Sequence, residues 1–204
     1  IELTKGIIPD PNKRQFIKKG ILGIIMGIGI AVFSKITRSV ENIKFDDDTV
    51  ALNLETAGHI IKPNQPAFNA VNTSSDSNVT GDETLTTIDF DSESFDQNGD
   101  FASDTFTAPV TGRYLLCVTF TFTGIVVDNG NIIGRIVTSN RTYNRRGWPT
   151  ASNSGSISMS VVADMDAADT VTVIGYADSE GSDIVDVEGS ASSHFTHFSG
   201  CLIA

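Results

Sequence analysis

Apolar and polar side chains alternate most regularly over residues 113–123, RYLLCVTFTFT. One parity of this run carries only aromatic and aliphatic side chains: Tyr114, Leu116, Val118, Phe120 and Phe122. A period of two in β-branched and aromatic residues predicts a strand that buries one face in a core. Pro109 and Gly112 precede the run and supply one restricted and one permissive backbone position, which favours a chain reversal there.

Residues 67–204 contain further short runs that are apolar or that alternate between apolar and polar residues. Clusters of Ser, Asn, Asp and Gly separate these runs. Besides 113–123, we predict strands at residues 67–71, 84–91, 99–101, 104–107, 132–138, 156–162, 170–176 and 195–203. No run of ten residues or more in this region has a helical period. Many short strands between turn residues are typical of a β-sandwich. Residues 67–204 are therefore predicted to form an all-β sandwich head.

Residues 1–40 have a different pattern, in which the uncharged apolar run 21–33 lies between clusters of Lys and Arg. As a helix this run would span about 20 Å, which is short of the roughly 30 Å bilayer core. Two interpretations stay open: a helix buried in a larger assembly, and an anchor in contact with a membrane. Glycines in small-xxx-small spacing would permit close helix packing in either case. The anchor residues are Ile21, Leu22, Gly23, Ile24, Ile25, Gly27 and Ile28.

Residues 41–66 form a third region, which is predicted to be a narrow β stem or linker. Val50, Leu52 and Leu54 alternate with polar residues, and Gly58 follows them. Prolines at the end of this region mark a boundary before the head. A hairpin of this size buries too little apolar surface to fold alone, so the stem is expected to need other chains.

Charge is divided between the two ends of the chain. Residues 1–45 carry eight Lys or Arg and three Asp or Glu, whereas residues 46–204 carry six Lys or Arg and 22 Asp or Glu. The formal net charge of the whole chain is −11. An acidic head repels phosphates instead of releasing their counterions, so we expect it to bind no nucleic acid.

Cys117 and Cys201 are the only cysteines, and each lies in an apolar strand pattern. Half-buried cysteines are most often inert small hydrophobic residues. A disulfide between neighbouring strands is the alternative, which the sequence leaves open.

Motifs in the head occur as an ordered set: Phe95-Asp96, Gly99-Asp100-Phe101, TFTAPV at 105–110, Gly112 and Tyr114. MDAADTVTV at 165–173 and HFSGCLIA at the end follow them, and Phe68 lies in the first predicted strand. Together these motifs resemble the globular head of the complement C1q and tumour-necrosis-factor superfamily. Two positions depart from that pattern, since Ala168 replaces the usual Gly and Cys201 replaces a common aromatic residue.

This resemblance covers about residues 65–204 and implies a TNF-like jelly-roll sandwich that assembles as a homotrimer. With the alternation, it assigns to the core Phe106, Tyr114, Leu116, Val118, Phe120 and Phe198. Some relatives bind calcium near the trimer axis, and oxygen-rich loops suit Ca²⁺. The candidate calcium ligands are Asp178, Glu180, Asp183 and Asp186, and a merely solvated acidic loop is the alternative. No other cofactor is expected.

The phrase AGHIIKPNQPAFNA at residues 57–70 resembles the lead-in to such heads in the fibres of bacteriophages. It implies a virion protein in contact with other capsid or tail proteins. A microbial cell-surface or extracellular-filament adhesin with the same trimeric head is the alternative. Residues 21–33 would attach the protein to its particle, its filament or a membrane.

Catalysis is not expected from this sequence. His59, His194 and His197 have no pattern that predicts a triad, and the last two are predicted to lie on opposite faces of the final strand. DQNGD at 96–100 looks like half an EF-hand loop but lacks the terminal Glu, so we interpret it as a turn.

The segment 139–149, SNRTYNRRGWP, concentrates cations and large rings in an acidic head. Exposed Arg and aromatic residues are the usual anchors of recognition sites. The candidate residues for binding a host receptor or glycan are Arg141, Tyr143, Arg145, Arg146 and Trp148. The alternative is that Trp148 caps the sandwich and the arginines pair with the domain's own acids.

Overall fold

The computed structural model describes residues 42–44, 50–55, 57–126, 130–149, 153–178 and 180–204. The chain divides into two compact units, Ile1–Pro63 and Asn64–Ala204. The predicted anchor at residues 1–40 lies outside the described residues. The described residues are all β, and they contain no helix of the length and hydropathy needed to span a membrane.

The first unit contains a small antiparallel sheet of β1 (Asn42–Lys44), β2 (Val50–Leu54) and β3 (Ile60–Ile61). The turn between β2 and β3 closes through the Gly58 amide, which donates to the Glu55 carbonyl oxygen at 2.8 Å. Gly58 has φ +86°, a backbone conformation that glycine adopts readily. This sheet occupies the region in which the sequence predicts a β stem.

The second unit is the head, and its described strands form two antiparallel sheets. In chain order they are β4 (Ala67–Val71), β5 (Ser74–Thr80), β6 (Thr86–Thr87), β7 (Ser92–Asp96), β8 (Phe101–Ala102), β9 (Thr105–Thr107), β10 (Gly112–Thr123), β11 (Ile132–Thr138), β12 (Thr142–Gly147), β13 (Ser154–Met165), β14 (Thr170–Ala177), β15 (Val185–Ser190) and β16 (His197–Leu202).

The long strand β10 organises the seven-stranded sheet. Along its whole length it pairs with β13, and on its other side it pairs with β16 and then β15. β4 lies beside β16, β7 beside β4, and β5 beside β15. The six-stranded sheet has the order β12-β11-β14-β9-β8, with β6 also paired to β14.

The core lies between the two sheets, and β10 supplies one parity to it, as the alternation predicts. Buried side chains from both sheets are Phe68, Phe101, Phe106, Tyr114, Leu116, Val118, Phe120, Phe122, Ile132, Ile136, Ile157, Val171, Val173 and Phe198. Aromatic rings dominate one end of this core. Phe68 stacks on Phe101 and Phe106 at centroid distances of 5.0 and 4.7 Å and meets Phe198 edge-on at 5.0 Å. Such pairs stabilise a core beyond the area that they bury.

Two local contacts explain motif residues in physical terms. The Tyr114 hydroxyl donates to the Val110 carbonyl oxygen at 2.7 Å, which ties the start of β10 to the preceding turn. A Cβ atom at Gly200 would lie 2.6 Å from the Phe68 ring, so β16 can approach that ring only with glycine there. Ala168, which replaces the usual Gly of the resembled pattern, has φ +74°.

Several predicted strand bounds are wrong. The long strand predicted at 84–91 is reduced to β6, the predicted last strand begins only at His197, and Asp104 lies in the turn before β9 with φ +60°. Four strands, β5, β7, β12 and β15, were not predicted at all. Their outward and edge positions are rich in Ser, Asp, Glu and Arg, so they lack the apolar alternation on which the prediction depends.

Candidate functional site

The outward side of the seven-stranded sheet presents a surface without formal charge, which we call the uncharged face. It consists of Leu115, Cys117, Thr119, Thr121, Ser156, Ser158, Ser160, Val162, His197, Ser199 and Cys201. The cross-strand pair Arg113 and Asp164 bounds it at one end, and the pair Thr123 and Asp186 bounds it at the other. Because strand side chains alternate between faces, these residues share one surface opposite the core.

Hydroxyl groups on the uncharged face pair with each other across β10 and β13. The Thr119 Oγ1 donates to Ser158 Oγ at 3.1 Å, and Thr121 Oγ1 and Ser156 Oγ are 2.8 Å apart. A polar surface whose side chains already have partners loses fewer hydrogen bonds to water when another surface covers it.

One end of the uncharged face is apolar and indented. Ala67, Phe95, Leu115, Cys117 and Cys201 line a shallow pocket of about 190 Å³. The Phe95 side chain is 54% exposed although it is a large apolar ring. An exposed apolar patch beside uncharged polar residues is typical of a surface that another protein covers.

The two cysteines lie on neighbouring strands of this face. Cys201 is opposite Leu115, and Cys117 is opposite Ser199, so the two thiols are diagonal neighbours. Both are free. The pKa of the Cys117 thiol is raised, first by burial and then by the proximity of Cys201, which disfavours the reactive thiolate.

The predicted receptor-binding residues lie on or beside the β11–β12 hairpin, at the edge of the six-stranded sheet. Tyr143 is half-buried, and Arg141, Arg145, Arg146 and Trp148 are exposed. Trp148 is 67% exposed, so it does not cap the sandwich. These five residues stay candidates for a binding role.

Strand alternation separates these candidates into two groups. Tyr143 and Arg145 share the inward parity of β12, and a groove of about 540 Å³ is lined by residues 142–145 of β12 and residues 158–161 of β13. Arg146 is opposite Ile133 in the register and lies on the outward side of the sheet. Adjacent arginines therefore point to different surfaces.

Arg135 and Tyr176 join the outward group, and sequence reasoning missed both. The Arg135 guanidinium lies over the Tyr176 ring, with Cζ 5.5 Å from the ring centroid. Arg135 occupies the non-core parity of IIGRIVT at 132–138. That parity is the signal that could have identified it, since a cation at an alternating position of an apolar strand must face outward.

Three of the four candidate calcium ligands accept hydrogen bonds from separate protein donors, and Oδ1 of the fourth, Asp183, is buried without a partner. The four acids are Asp178, Glu180, Asp183 and Asp186. Asp178 accepts from the Asn131 side-chain amide at 2.9 Å, and Asp186 accepts from the Asn78 backbone amide at 2.7 Å. Within the described ranges, no three His, Cys, Asp or Glu side chains form a group that could hold a metal ion. The calcium site stays a prediction.

A second acidic group lies beyond β6. Burial, the Asp104 carboxylate and, more weakly, Asp76 and Asp91 raise the pKa of Asp89 to about 6. Asp104 is held in place because its Oδ1 accepts from the Phe90 amide at 2.7 Å. This group makes the region between β5, the β6–β7 connection and the β8–β9 turn acidic, while the β11–β12 edge is basic.

Histidines contact backbone carbonyl groups in the described part of the head. A His194 ring nitrogen lies 3.1 Å from the Ala191 carbonyl oxygen, and a His197 ring nitrogen lies 3.0 Å from the His194 carbonyl oxygen. The prediction that they lie on opposite faces of the last strand is wrong, because His194 precedes β16 in a turn with φ +44°. The DQNGD segment is a turn, in which Asp96 Oδ2 accepts from the Phe101 amide at 2.8 Å.

Comparisons with solved structures agree with this geometry. The globular domain of zebrafish complement 1qA protein superposes with a TM-score of 0.51 at 18% identity, covering 69% of this chain and 98% of that one. Murine APRIL at pH 5.0 has a TM-score of 0.49 at 14% identity, covering 68% of this chain and 99% of that one. No protein-family model and no curated protein matches the sequence. The head has a jelly-roll fold like that of the complement 1qA globular domain, as the motifs predict.

Proposed function

We propose that this chain is a non-enzymatic, homotrimeric attachment protein whose jelly-roll head contacts a host surface or a neighbouring capsid protein. The uncharged face carries this proposal. It combines small side chains, hydroxyl groups paired across strands and an exposed apolar patch in a head that is otherwise strongly acidic. In the proposed trimer this face is the contact between subunits.

Charge favours this choice of contact. Residues 64–204 contain five Arg, no Lys and 18 Asp or Glu, so each head carries a formal net charge of −13. Like charges brought together in a desolvated contact are unfavourable, and the centres of protein interfaces are depleted of charged residues. Copies of this head therefore meet most favourably through a surface that lacks formal charge.

Exposed apolar side chains in the stem favour an assembly of several chains. Ile60 and Ile61 are 63% and 45% exposed, and Leu54 is 37% exposed. A three-stranded sheet of this size buries little apolar surface by itself. Stems from three chains would cover these side chains mutually.

The location that we propose is a virion, where the protein would form a fibre or spike with other capsid or tail proteins. The likeness of residues 57–70 to phage fibre lead-ins supports it, and the basic and apolar residues 1–40 would attach the protein to the particle. A microbial cell-surface or filament adhesin is the alternative, and the neighbouring genes, capsid or pilus, would distinguish the two.

The experiment removes residues 1–40 and supplies the shortened protein to a producing system that lacks the native copy. We expect a folded trimeric head that no longer joins its particle or filament, because the uncharged run 21–33 is lost. Normal incorporation would contradict the assigned anchor. Gly23→Leu with Gly27→Leu in the full chain then separates close helix packing, which the larger side chains would block, from simple contact with lipid, which they would preserve.

A further inference from the structure

The outward side of the β11–β12–β14 region carries a compact set of side chains that the proposed subunit contact does not use. In one row across the three strands stand Arg146, Ile133 and Tyr176, and the next row holds Asn144, Arg135 and Ile174. We call these six residues the arginine face. Diagonal neighbours in an antiparallel pair are roughly 7–8 Å apart, so Arg135 is close to both Arg146 and Tyr176.

The parity of β11 shows that this set faces away from the core. A Cβ atom at Gly134 would lie 2.5 Å from Ile157 and 2.8 Å from Phe120, so that position points inward. Arg135 is the next residue and therefore points outward. Ile133 is only 6% exposed although it shares the outward parity. Ile133 is therefore covered by the longer side chains beside it in the register, Arg146 and Tyr176.

Electrostatics distinguish the arginine face from the rest of the head. The β11–β12 hairpin holds four of the five arginines in residues 64–204, namely Arg135, Arg141, Arg145 and Arg146. Among the described residues none of these four forms an ion pair with a carboxylate, despite the excess of acids. Arg135 Nε is buried without a hydrogen-bond partner, so an external oxyanion reaches Arg135 only through its terminal guanidinium nitrogen atoms. Guanidinium groups with unused donors can take a planar oxyanion through two parallel hydrogen bonds.

We propose that the arginine face binds the carboxylate or sulfate group of an acidic sugar, which names a ligand class for the adhesive function proposed above and rests on it. Arg135 and Arg146 hold the oxyanion, and the Asn144 amide serves the sugar hydroxyl groups. Trp148 follows Arg146 by two residues, and its exposed ring supplies a surface on which a sugar ring packs. A single charged sugar suits this face, since the acidic remainder of the head repels a long polyanion.

The test uses the full chain and the fluorescence of Trp148, which is the only tryptophan. The probes are 3′-sialyllactose, 3′-sulfolactose and neutral lactose. We expect at least one charged sugar to bind about tenfold or more tightly than lactose, and the stronger of the two identifies the oxyanion. Equal weak binding of all three sugars would overturn the proposal.

Arg146→Gln and Arg145→Gln form a matched pair, because both side chains are exposed on the same edge strand and only Arg146 lies on the arginine face. We expect Arg146→Gln to weaken binding of the charged sugar about tenfold and Arg145→Gln to change it less than twofold. Equal losses would mean general charge attraction and would overturn the site. Binding of a poly-glutamate peptide without sugar binding would reassign the face to an acidic protein and also overturn it.

Mass measurement of the same samples separates this inference from the proposed assembly. A trimer that binds no acidic sugar would refute the sugar site and leave the trimer intact. A monomer that binds the sugar would refute the trimer and leave the site intact.

Discussion

The two outward faces of the sandwich differ in charge although the same alternation builds both sheets. On β10 and β13 the outward positions beyond the bounding pair Arg113 and Asp164 carry Ser, Thr, Cys, Leu and Val, and many of the hydroxyl groups bond to one another. On β11 and β12 the outward positions include Arg135 and Arg146, which have no carboxylate partners among the described residues. Folding constrains the inward parity of each strand. The outward parity is free of that constraint, so its composition is the better indicator of function.

The largest expected effect comes from placing a charge on each face in turn. Leu115 and Val137 are half-buried aliphatic side chains at outward positions, Leu115 on the uncharged face and Val137 on the six-stranded sheet. We expect Leu115→Glu to raise the concentration at which the trimer dissociates a hundredfold or more, because three carboxylates would enter the subunit contact. Val137→Glu is expected to leave the trimer intact. Sedimentation at several protein concentrations measures both variants.

Thermal melting checks that each variant is folded before its assembly is compared. If Val137→Glu dissociates the trimer and Leu115→Glu does not, the assignment of the subunit contact to the uncharged face is wrong.

A smaller effect concerns Asp89, which lies between β6 and β7 in the second acidic group. The pKa of Asp89 is raised to about 6 from an ordinary value of 3.8. Between these two pH values the folded protein keeps a proton on Asp89 that the unfolded chain has released. Stability that depends on this proton is present below about pH 4 and is lost as the pH rises through about 6. Asp89→Asn removes the carboxylate and is expected to melt at a higher temperature than the native protein at pH 7.

The pH series gives the control for this prediction. The difference between Asp89→Asn and the native protein should shrink as the pH falls from 7 to 4. Glu93→Gln, which removes an exposed acid from β7, should melt like the native protein. A difference for Asp89→Asn that is constant with pH would argue against a raised pKa.

The smallest effect lies in the turn that connects the two sheets between β13 and β14. Ala168 has φ +74°, which is unfavourable for a residue with a Cβ atom. Ala168→Gly should therefore raise the free energy of unfolding by about 1 kcal/mol. Ala167→Gly is the matched control, and we expect it to be neutral or destabilising because glycine gains entropy on unfolding. Denaturant unfolding of both variants distinguishes strain relief at Ala168 from a general tolerance of glycine.

The sequence predicted the fold where burial imposes a period. β4 and β11 match their predicted ranges, and β10 differs by one residue, because apolar residues at every second position are needed to fill the core. β5 and β12 were missed since they lie at sheet edges, where most side chains face water. His194 was assigned to the wrong element because a turn with positive φ leaves no periodic signal.

The candidate surfaces were less predictable than the core. The local concentration of cations and rings identifies Arg146 and Trp148 as binding candidates, whereas Arg135 and Tyr176 become neighbours only through the pairing of β11 with β14. The uncharged face joins residues from strands that are far apart in the chain, such as Thr119 and Ser158. The alternation places most of these residues in predicted strands. It does not show which strands pair, and the pairing is what makes them one surface.

The mass in solution of the fragment comprising residues 42–204, which keeps all three stem strands, tests the central claim most directly. That claim is that the uncharged face joins three heads, with the stem sheets completing the assembly. Native mass spectrometry and sedimentation at micromolar concentration should both give the mass of three chains. A folded fragment that stays a monomer at that concentration would contradict the account.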